Sequence, residues 1–246
     1  MKKETYIGPA ILIIIWYLVT LTKWINPLFL PSPIEVLIAL YRILGTGKAW
    51  LDILLTTGRV GIGFLIAAIM GIPIGLLMGR YKKINATFSF VIDFFRSLPA
   101  IALFPLLMFF FGIGSTAMVL TAAFTCGLVV VINTIYGVLN SRRTRQIVAE
   151  VSGANRWEVF TRVIILDAVP HIFAGLRIGL SFAVIVIVAT EMLIGNKGIG
   201  QRIVETQLTY RVPEMYSWIC LAGLLGFCLN KGFLKLENRF IHWGGK

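Results

Sequence analysis

Six long apolar segments constrain what this sequence can fold into. A helix needs roughly 20 mainly apolar residues to cross the hydrocarbon core of a bilayer. Because 58% of the chain is hydrophobic and only 14% is charged, a single water-soluble core could not bury this much apolar surface. The sequence therefore predicts an all-α integral membrane protein, residues 1–246, with one transmembrane domain. The six predicted spans lie at about 7–22, 58–79, 84–111, 114–139, 168–195 and 213–231.

The lysines and arginines of the short loops predict the orientation of these spans. Such residues are retained on the cytoplasmic side, whereas acidic residues have little effect. They are concentrated at the N-terminus, at 80–83, at 140–167 and after 231, which lie on one side if six helices cross the membrane. We therefore expect a multi-pass protein of the bacterial cytoplasmic membrane with both termini in the cytoplasm. The excess of lysine and arginine on the cytoplasmic side, together with attraction to anionic membrane lipid, explains the net charge of +12. We therefore expect no nucleic-acid partner.

The loop at about 140–167 contains a predicted short helix of its own. Asn155 can cap this helix, and Glu158 follows three residues later in the position of a capping box. Gly153 permits the sharp turn before the cap. The residues that then share one helix face are Trp157, Phe160 and Ile164. Such a helix can lie in the lipid interface or dock in a groove of another protein, and its few aromatic residues favour docking.

Four stretches of the chain resemble the permease subunits of ABC importers. Ser152 to Gly200 reads SGANRWEVFTRVIILDAVPHIFAGLRIGLSFAVIVIVATEMLIGNKGIG and is similar to their coupling loop and following span. LPSPIEVLIAL, GIPIGLLMGR and RSLPAIALFPLLMFFFGIG resemble the nitrate, taurine and aliphatic-sulfonate branch. The general loop pattern of the family is E-A-A, three residues, Gly, nine residues and I-x-L-P. Here Ile147 stands in place of the Glu, and Leu166 stands in place of the Pro.

This resemblance implies a type I importer permease fold with a cytoplasmic coupling helix at 153–166. The implied contacts with a separate ATPase are Gly153, Ala154, Asn155, Arg156, Trp157, Glu158 and Phe160. It also implies a second permease copy and an extracytoplasmic solute-binding protein. The expected substrate is a small anion or organic anion, such as nitrate, a sulfonate, taurine or bicarbonate. Because the sequence has no G-x-x-x-x-G-K-[ST] loop, we expect no cofactor on this chain, and ATP and Mg on the ATPase.

Glycines and a proline within the spans predict close packing and a bend. Gly71, Gly75 and Gly79 recur every four residues and share one helix face. Such a face allows a neighbouring backbone to approach closely, either another span or the second permease copy. Pro99 is expected to kink or break its helix, either to line the translocation pathway or for packing alone.

Ionisable residues at membrane depth are costly and are candidates for the pathway or its gate. Asp93 and Arg96 can pair on one helix face, and a structural ion pair is the alternative. Arg177 is also expected to pair with Asp93. Glu191 is a candidate gate residue, and the alternative is a carboxylate satisfied by structural hydrogen bonds.

The remaining features do not predict a catalytic or metal site. His171, expected in a loop, and His242, in the basic tail, have no partners that form a catalytic or metal-ligand set. The cysteines lie in apolar segments and are expected in the core. We therefore expect a non-enzymatic transport subunit. The alternative is a stand-alone secondary transporter, for which an inverted repeat is typical.

Two segments are predicted on the outer face. Residues 32–52 contain a predicted amphipathic helix opened by Pro33 and ended by Gly45 and Gly47. The polar loop 196–214 either docks the binding protein or is a plain connector.

Overall fold

The computed structural model describes residues 7–26, 28–194 and 197–241. Within these ranges the chain forms helices and turns and no strand. The helices are α1 (Ile7–Leu21), α2 (Pro33–Leu44), α3 (Gly47–Arg80), α4 (Lys82–Ser97), α5 (Ala100–Phe111), α6 (Ser115–Leu139), α7 (Arg143–Val151), α8 (Arg156–Val159), α9 (Ile165–Ile194), α10 (Ile199–Leu208) and α11 (Val212–Phe240). The described residues divide into a first unit, within 1–56 and 191–224, and a second unit, within 57–190 and 225–246.

Four helices of the described chain are long and apolar enough to cross a membrane. They are α3, α6, the continuous helix Arg156–Ile194 and α11. α4 and α5 pass the same test as a pair but meet at an angle of 97°. α1 has 15 residues, or about 22 Å of helix, which is less than the roughly 30 Å hydrocarbon core. The six predicted spans thus correspond to four spans, one bent pair and one short apolar helix.

The prediction of a continuous span over 84–111 is wrong, because the helix breaks at Leu98 and Pro99. The proline ring disfavours the α conformation in the residue that precedes it. Leu98 is accordingly extended, with φ −80° and ψ 132°, and Pro99 is the N-cap residue of α5. Pro99 therefore breaks the helix and does not merely kink it.

α6 forms the core of the second unit, where α3 and α9 pack against it. The glycines that approach α6 are Gly63, Gly71, Gly75 and Gly79 of α3 and Gly175 and Gly179 of α9. A Cβ atom at Gly79 would lie only 2.6 Å from the Cβ of Val138. The absence of side chains lets the helix backbones come this close. The glycine face of α3 is therefore occupied by α6 of the same chain.

The first unit contains α2 with the ends that its sequence predicts. Ser32 and Glu35 form a capping box, Pro33 opens the helix, and Gly45 is the C-cap residue. Ser217 Oγ of α11 donates a hydrogen bond of 2.8 Å to the carbonyl oxygen of Val36. α2 is thus held against α11. The segment 196–214, expected as a loop, contains the helix α10.

Two further expectations are corrected by the helices α9 and α11. Cys126 is buried, but Cys220 and Cys228 are exposed on α11, because an apolar residue of a membrane helix can face lipid as well as the core. His171 lies within α9, with its ring centroid 5.2 Å from that of Tyr136. His242 lies outside the described residues.

Candidate functional site

A tight turn between α7 and α8 shapes the 140–167 segment. Gly153 has φ +89°, a conformation that residues with a Cβ atom rarely adopt. The side chain of Asn155 accepts hydrogen bonds from the backbone N–H groups of Trp157 at 2.9 Å and Glu158 at 3.0 Å. The Glu158 carboxylate accepts the N–H of Asn155 in return, also at 2.9 Å. The capping box that the sequence predicts is therefore present.

α8 is not a separate helix, contrary to the expectation from sequence. A π-helical turn, Phe160–Ile164, joins it to α9, so that one helix of 39 residues runs from Arg156 to Ile194. Phe160, expected on the docking face, is only 8% exposed and is packed inside the chain. Trp157 remains 63% exposed. Phe160 therefore lies beneath the exposed surface of this segment.

α7 carries a more exposed apolar face than α8 does. Ile147, Val148 and Val151 are 46%, 61% and 84% exposed. With about 3.6 residues per turn, these three positions lie on one side of the helix. The arginines at the start of α7 are Arg142, Arg143 and Arg145. A contiguous exposed apolar face with a charged rim is typical of an interaction surface.

Asp167 connects α7 to the start of α9. Its carboxylate accepts hydrogen bonds from Ser141 Oγ at 2.9 Å and from the backbone N–H of Arg142 at 3.2 Å. It also pairs with the guanidinium of Arg145. A cavity of about 450 Å³ opens beside this pair, with Leu166 among its lining residues. A displacement of α7 is therefore resisted by hydrogen bonds that end on α9.

Glu191 lies in a buried polar cluster of the first unit. Its carboxylate is fully buried and accepts hydrogen bonds from Thr56 Oγ1 at 2.9 Å and from the N–H of Gly200 at 3.0 Å. Thr56 Oγ1 accepts the N–H of Ile199, also at 3.0 Å. These N–H groups open α10, where backbone donors have no partner within the helix and the helix dipole favours a negative charge. These hydrogen bonds hold the Glu191 carboxylate against the first turn of α10, and its role as a gate stays a prediction.

Asp52 completes this cluster, which we call the α10 anchor (Asp52, Thr56 and Glu191). Its carboxylate accepts the N–H of Gly198 at 3.0 Å and a hydrogen bond from Arg202 at 2.6 Å. Gly198 has φ +123°, and a Cβ atom there would overlap the Glu191 carboxylate. Burial lowers the pKa of Arg202, but its hydrogen bonds and charge interactions with Asp52 and Glu205 outweigh burial and raise that pKa above its ordinary value. Arg202 therefore stays charged.

A cavity of about 640 Å³ lies between α2, α10 and the first turns of α3 and α11, all within the first unit. The charged residues that line it are Glu35, Arg42, Lys48, Asp52, Arg202, Glu205, Arg211 and Glu214. Arg211 bonds Glu214 at 2.9 Å. Among the described residues, neither Arg42 nor Lys48 has a hydrogen-bonding or ionic partner. The lining thus carries four cationic and four anionic side chains, and two of the cations, Arg42 and Lys48, have no ionic partner within the described chain.

The charged residues of the second unit pair differently from the prediction. Asp93 and Arg96 do form the predicted ion pair, with an N–O distance of 3.3 Å, and both are exposed. Arg177 does not pair with Asp93. Its guanidinium instead lies 3.4 Å from the carboxylate of Glu237 on α11. Sequence spacing could not reveal this partner, because the two residues are 60 positions apart along the chain.

Comparison with known proteins identifies the family. A family model described as "Binding-protein-dependent transport system inner membrane component" matches residues 71–231. The chain belongs to this family of ABC importer permeases. A probable ABC transporter permease of Brucella melitensis is 32% identical over 228 residues, which cover 93% of this permease and 92% of the relative.

Relatives in one branch also match over most of their length. The taurine transport system permease TauC of Escherichia coli is 29% identical over 242 residues, covering 96% of this permease and 88% of TauC. The nitrate import permease NrtB of a Synechocystis strain is 29% identical over 238 residues, covering 93% and 86% of the two chains. The permease is therefore a multi-pass inner-membrane protein of the nitrate, taurine and sulfonate branch. Its family implies ATPase and binding-protein partners.

Solved structures of ABC importers share the fold of this permease. A chain of the MetNI methionine ABC transporter, in an inward-facing conformation, superposes with a TM-score of 0.67 at 18% identity. The superposition covers 75% of this permease and 92% of that chain. The predicted all-α, type I importer permease fold is confirmed. No match supports a stand-alone secondary transporter.

Several residues of these sites were not found from the sequence. Three of them make buried or largely buried contacts, namely Asp52, Asp167 and Gly198. The fourth is Val151, the most exposed residue of the α7 face. Asp52 and Asp167 stand at the edges of apolar segments, where an acidic side chain needs hydrogen-bond partners. That cost is a signal that could have identified both of them.

Proposed function

We propose that this permease imports a small oxyanion-bearing solute and that its 140–167 segment docks on a separate ATPase in the cytoplasm. Relatives in its branch are named for taurine, nitrate and aliphatic sulfonates. Nitrate and sulfonate groups are compact oxyanions, and bicarbonate belongs to the same chemical class. ATP and Mg bind to the ATPase, and this chain is the non-hydrolytic subunit.

The exposed face of α7 is the observation that carries the docking proposal. Ile147, Val148 and Val151 form a hydrophobic surface that no described residue of the chain covers. Arginines at the rim favour an ATPase surface with acidic side chains. The second part of the contact is the adjoining turn, which is formed by Gly153, Ala154, Asn155, Arg156, Trp157 and Glu158. Phe160 supports this turn from inside.

The assembly that we propose contains two permease copies, two ATPase chains and a solute-binding protein. The positive-inside rule supports an arrangement with both termini and the 140–167 segment in the cytoplasm. The cavity of the first unit then faces outward. Arg42 and Lys48 line this cavity and have no ionic partner among the described residues, so they suit acidic side chains of the binding protein, which we propose docks on α2 and α10.

The bend between α4 and α5 is the proposed position of the translocation pathway. Asp93 and Arg96 are exposed in the last turns of α4, and Pro99 follows at the break. Non-helical backbone at membrane depth is tolerated where it lines a water-filled path or is covered by protein. The exposed ion pair is consistent with such a path. Arg96 could contact an anionic solute there.

The test is purification of the tagged permease from its native membranes in mild detergent. A P-loop ATPase is expected at about one copy per permease. Val148→Asp places a charge in the α7 face and should abolish ATPase recovery. Leu208→Asp makes the same change at an exposed leucine of α10 and should leave recovery unchanged.

Reconstitution then tests the substrate class. In vesicles with the ATPase and the binding protein, nitrate, taurine or an alkanesulfonate should stimulate ATP hydrolysis. A permease that purifies as a homo-oligomer without ATPase in several detergents would contradict the proposed function. Stimulation only by cations or by neutral sugars would contradict the substrate class alone.

A further inference from the structure

Arg80, the last residue of α3, lies among aromatic rings at the start of the long helix Arg156–Ile194. Its guanidinium carbon is 4.2 Å from the ring centroid of Phe160, 5.1 Å from that of Trp157 and 5.4 Å from that of Tyr81. A guanidinium within about 6 Å of a ring centroid is attracted by the electrons of that ring. Within the described chain, Arg80 has no carboxylate partner.

Two of the three rings that Arg80 contacts, those of Trp157 and Phe160, belong to the turn beside the α7 face. The centroids of Trp157 and Phe160 are 6.1 Å apart. Trp157 is largely exposed, whereas Phe160 is buried and begins the π-helical turn. Such a turn within a longer helix is frequently found at functional sites. Arg80 thus contacts one residue at the surface and one in the interior.

The end of α3 is also packed tightly against α6. A Cβ atom at Gly79 would be 2.6 Å from the Val138 side chain, and the backbones at this point have little room to slide. Protein interiors are close-packed and transmit displacement. A displacement of Arg80 should therefore move α3 together with α6.

We propose that Arg80 is a positioning residue that transmits movement of the 140–167 segment to α3. This inference rests on the proposed function, because it requires that an ATPase displaces the segment. Asp167 provides the corresponding link from α7 to α9. Through Arg80, the same displacement reaches α3 and α6. Closure of the ATPase would then move three spans of the second unit and not α9 alone.

The experiment follows α3 directly and needs no knowledge of the substrate. Cys220 and Cys228 are replaced by Ser, and Leu77→Cys introduces a thiol at an exposed position one turn before Arg80. The purified permease–ATPase complex is trapped with ATP and vanadate, and the maleimide reaction rate at position 77 is compared with that of the untrapped complex. We expect trapping to change this rate at least threefold.

Variants of the aromatic contact test whether Arg80 causes this change. Arg80→Gln and Phe160→Leu should each abolish the trapping-dependent change while the ATPase stays bound, because Phe160 is buried behind the contact surface. The double variant should be no worse than either one. Arg80→Lys keeps the cation and should restore part of the change, since an ammonium also attracts aromatic rings. Lys82→Gln removes a nearby exposed charge and should behave as the unaltered complex.

Each remaining outcome separates the two proposals. Failure of the unaltered permease to recover an ATPase would contradict the proposed function. A bound ATPase with an unchanged response in both Arg80→Gln and Phe160→Leu would overturn the role of Arg80. Arg80→Gln and Arg80→Lys should have equal thermal stability. A lost response in Arg80→Gln is then not a folding defect.

Discussion

The α10 anchor makes a specific prediction for Thr56→Val, which replaces a hydroxyl by a methyl group of nearly the same size. Thr56 Oγ1 donates to the buried Glu191 carboxylate and accepts the N–H of Ile199. A buried donor left without a partner costs about 1–3 kcal/mol, and a hydrogen bond to a charged group contributes about 1.5–3 kcal/mol. The expected loss in free energy of unfolding is therefore about 3–6 kcal/mol.

Thermal unfolding followed by tryptophan fluorescence measures this loss. One kcal/mol corresponds to about 2–4 °C in Tm for a chain of this size, so Thr56→Val should lower Tm by at least about 6 °C. Thr56→Ser keeps the hydroxyl, loses one methyl group and should cost about 1 kcal/mol. Both variants are heated in the same detergent at the same rate, because the Tm of an irreversible unfolding transition depends on the heating rate. A Tm for Thr56→Val within 2 °C of Thr56→Ser would refute the hydrogen-bonding role.

Three further predictions concern packing, the α7 link and the cysteines. Gly75→Ala should lower the free energy of unfolding by about 1–3 kcal/mol, because the added methyl group overpacks against α6. In the same helix, the methyl group of Gly61→Ala meets no atom within 4 Å, so this variant should raise the free energy of unfolding by about 0.5–1 kcal/mol. Equal Tm values for the two variants would contradict this packing. Asp167→Asn should increase amide hydrogen exchange in α7 about tenfold, corresponding to about 1.4 kcal/mol, and unchanged exchange would contradict the link to α9. A membrane-permeant maleimide should label Cys220 rapidly in the folded protein and Cys126 only after unfolding, so equal rates would contradict the burial of Cys126.

Local sequence patterns were sufficient to predict the ends of several helices. Asn155 and Glu158 form the predicted capping box, and Pro33 opens α2 as predicted, because such signals depend on residues at most three positions apart. The glycine spacing of α3 likewise predicted a close-packed face. These features require no knowledge of distant parts of the chain.

The contacts that position the sites were less accessible from the sequence. Glu191 bonds Thr56, 135 residues earlier, and Asp52 bonds the N–H of Gly198, 146 residues later. The sequence identified Glu191 as a costly buried charge but could not supply its partners. The burial of Phe160 was missed for a related reason, since helix periodicity places residues on a common face without saying which face is covered.

The structure also changes which surface is expected to contact the ATPase. Sequence resemblance placed the contact at 153–166, within a short separate helix. The continuous helix from Arg156 and the buried ring of Phe160 leave α7 as the larger exposed apolar surface. Ile147, which replaces a glutamate of the general family pattern, belongs to that surface. A hydrophobic contact at this position is therefore the expected replacement for a charged one.

Maleimide labelling of Val148→Cys in membrane vesicles tests whether the exposed face of α7 is the ATPase-docking surface. The labelled chain has Cys220 and Cys228 replaced by Ser. In inside-out vesicles stripped of peripheral proteins, a membrane-impermeant maleimide should label position 148, and addition of the purified ATPase should protect it at least tenfold. Leu208→Cys should be labelled only in right-side-out vesicles. Labelling of position 148 from the outside, or equal labelling with and without the ATPase, would contradict the proposed docking surface.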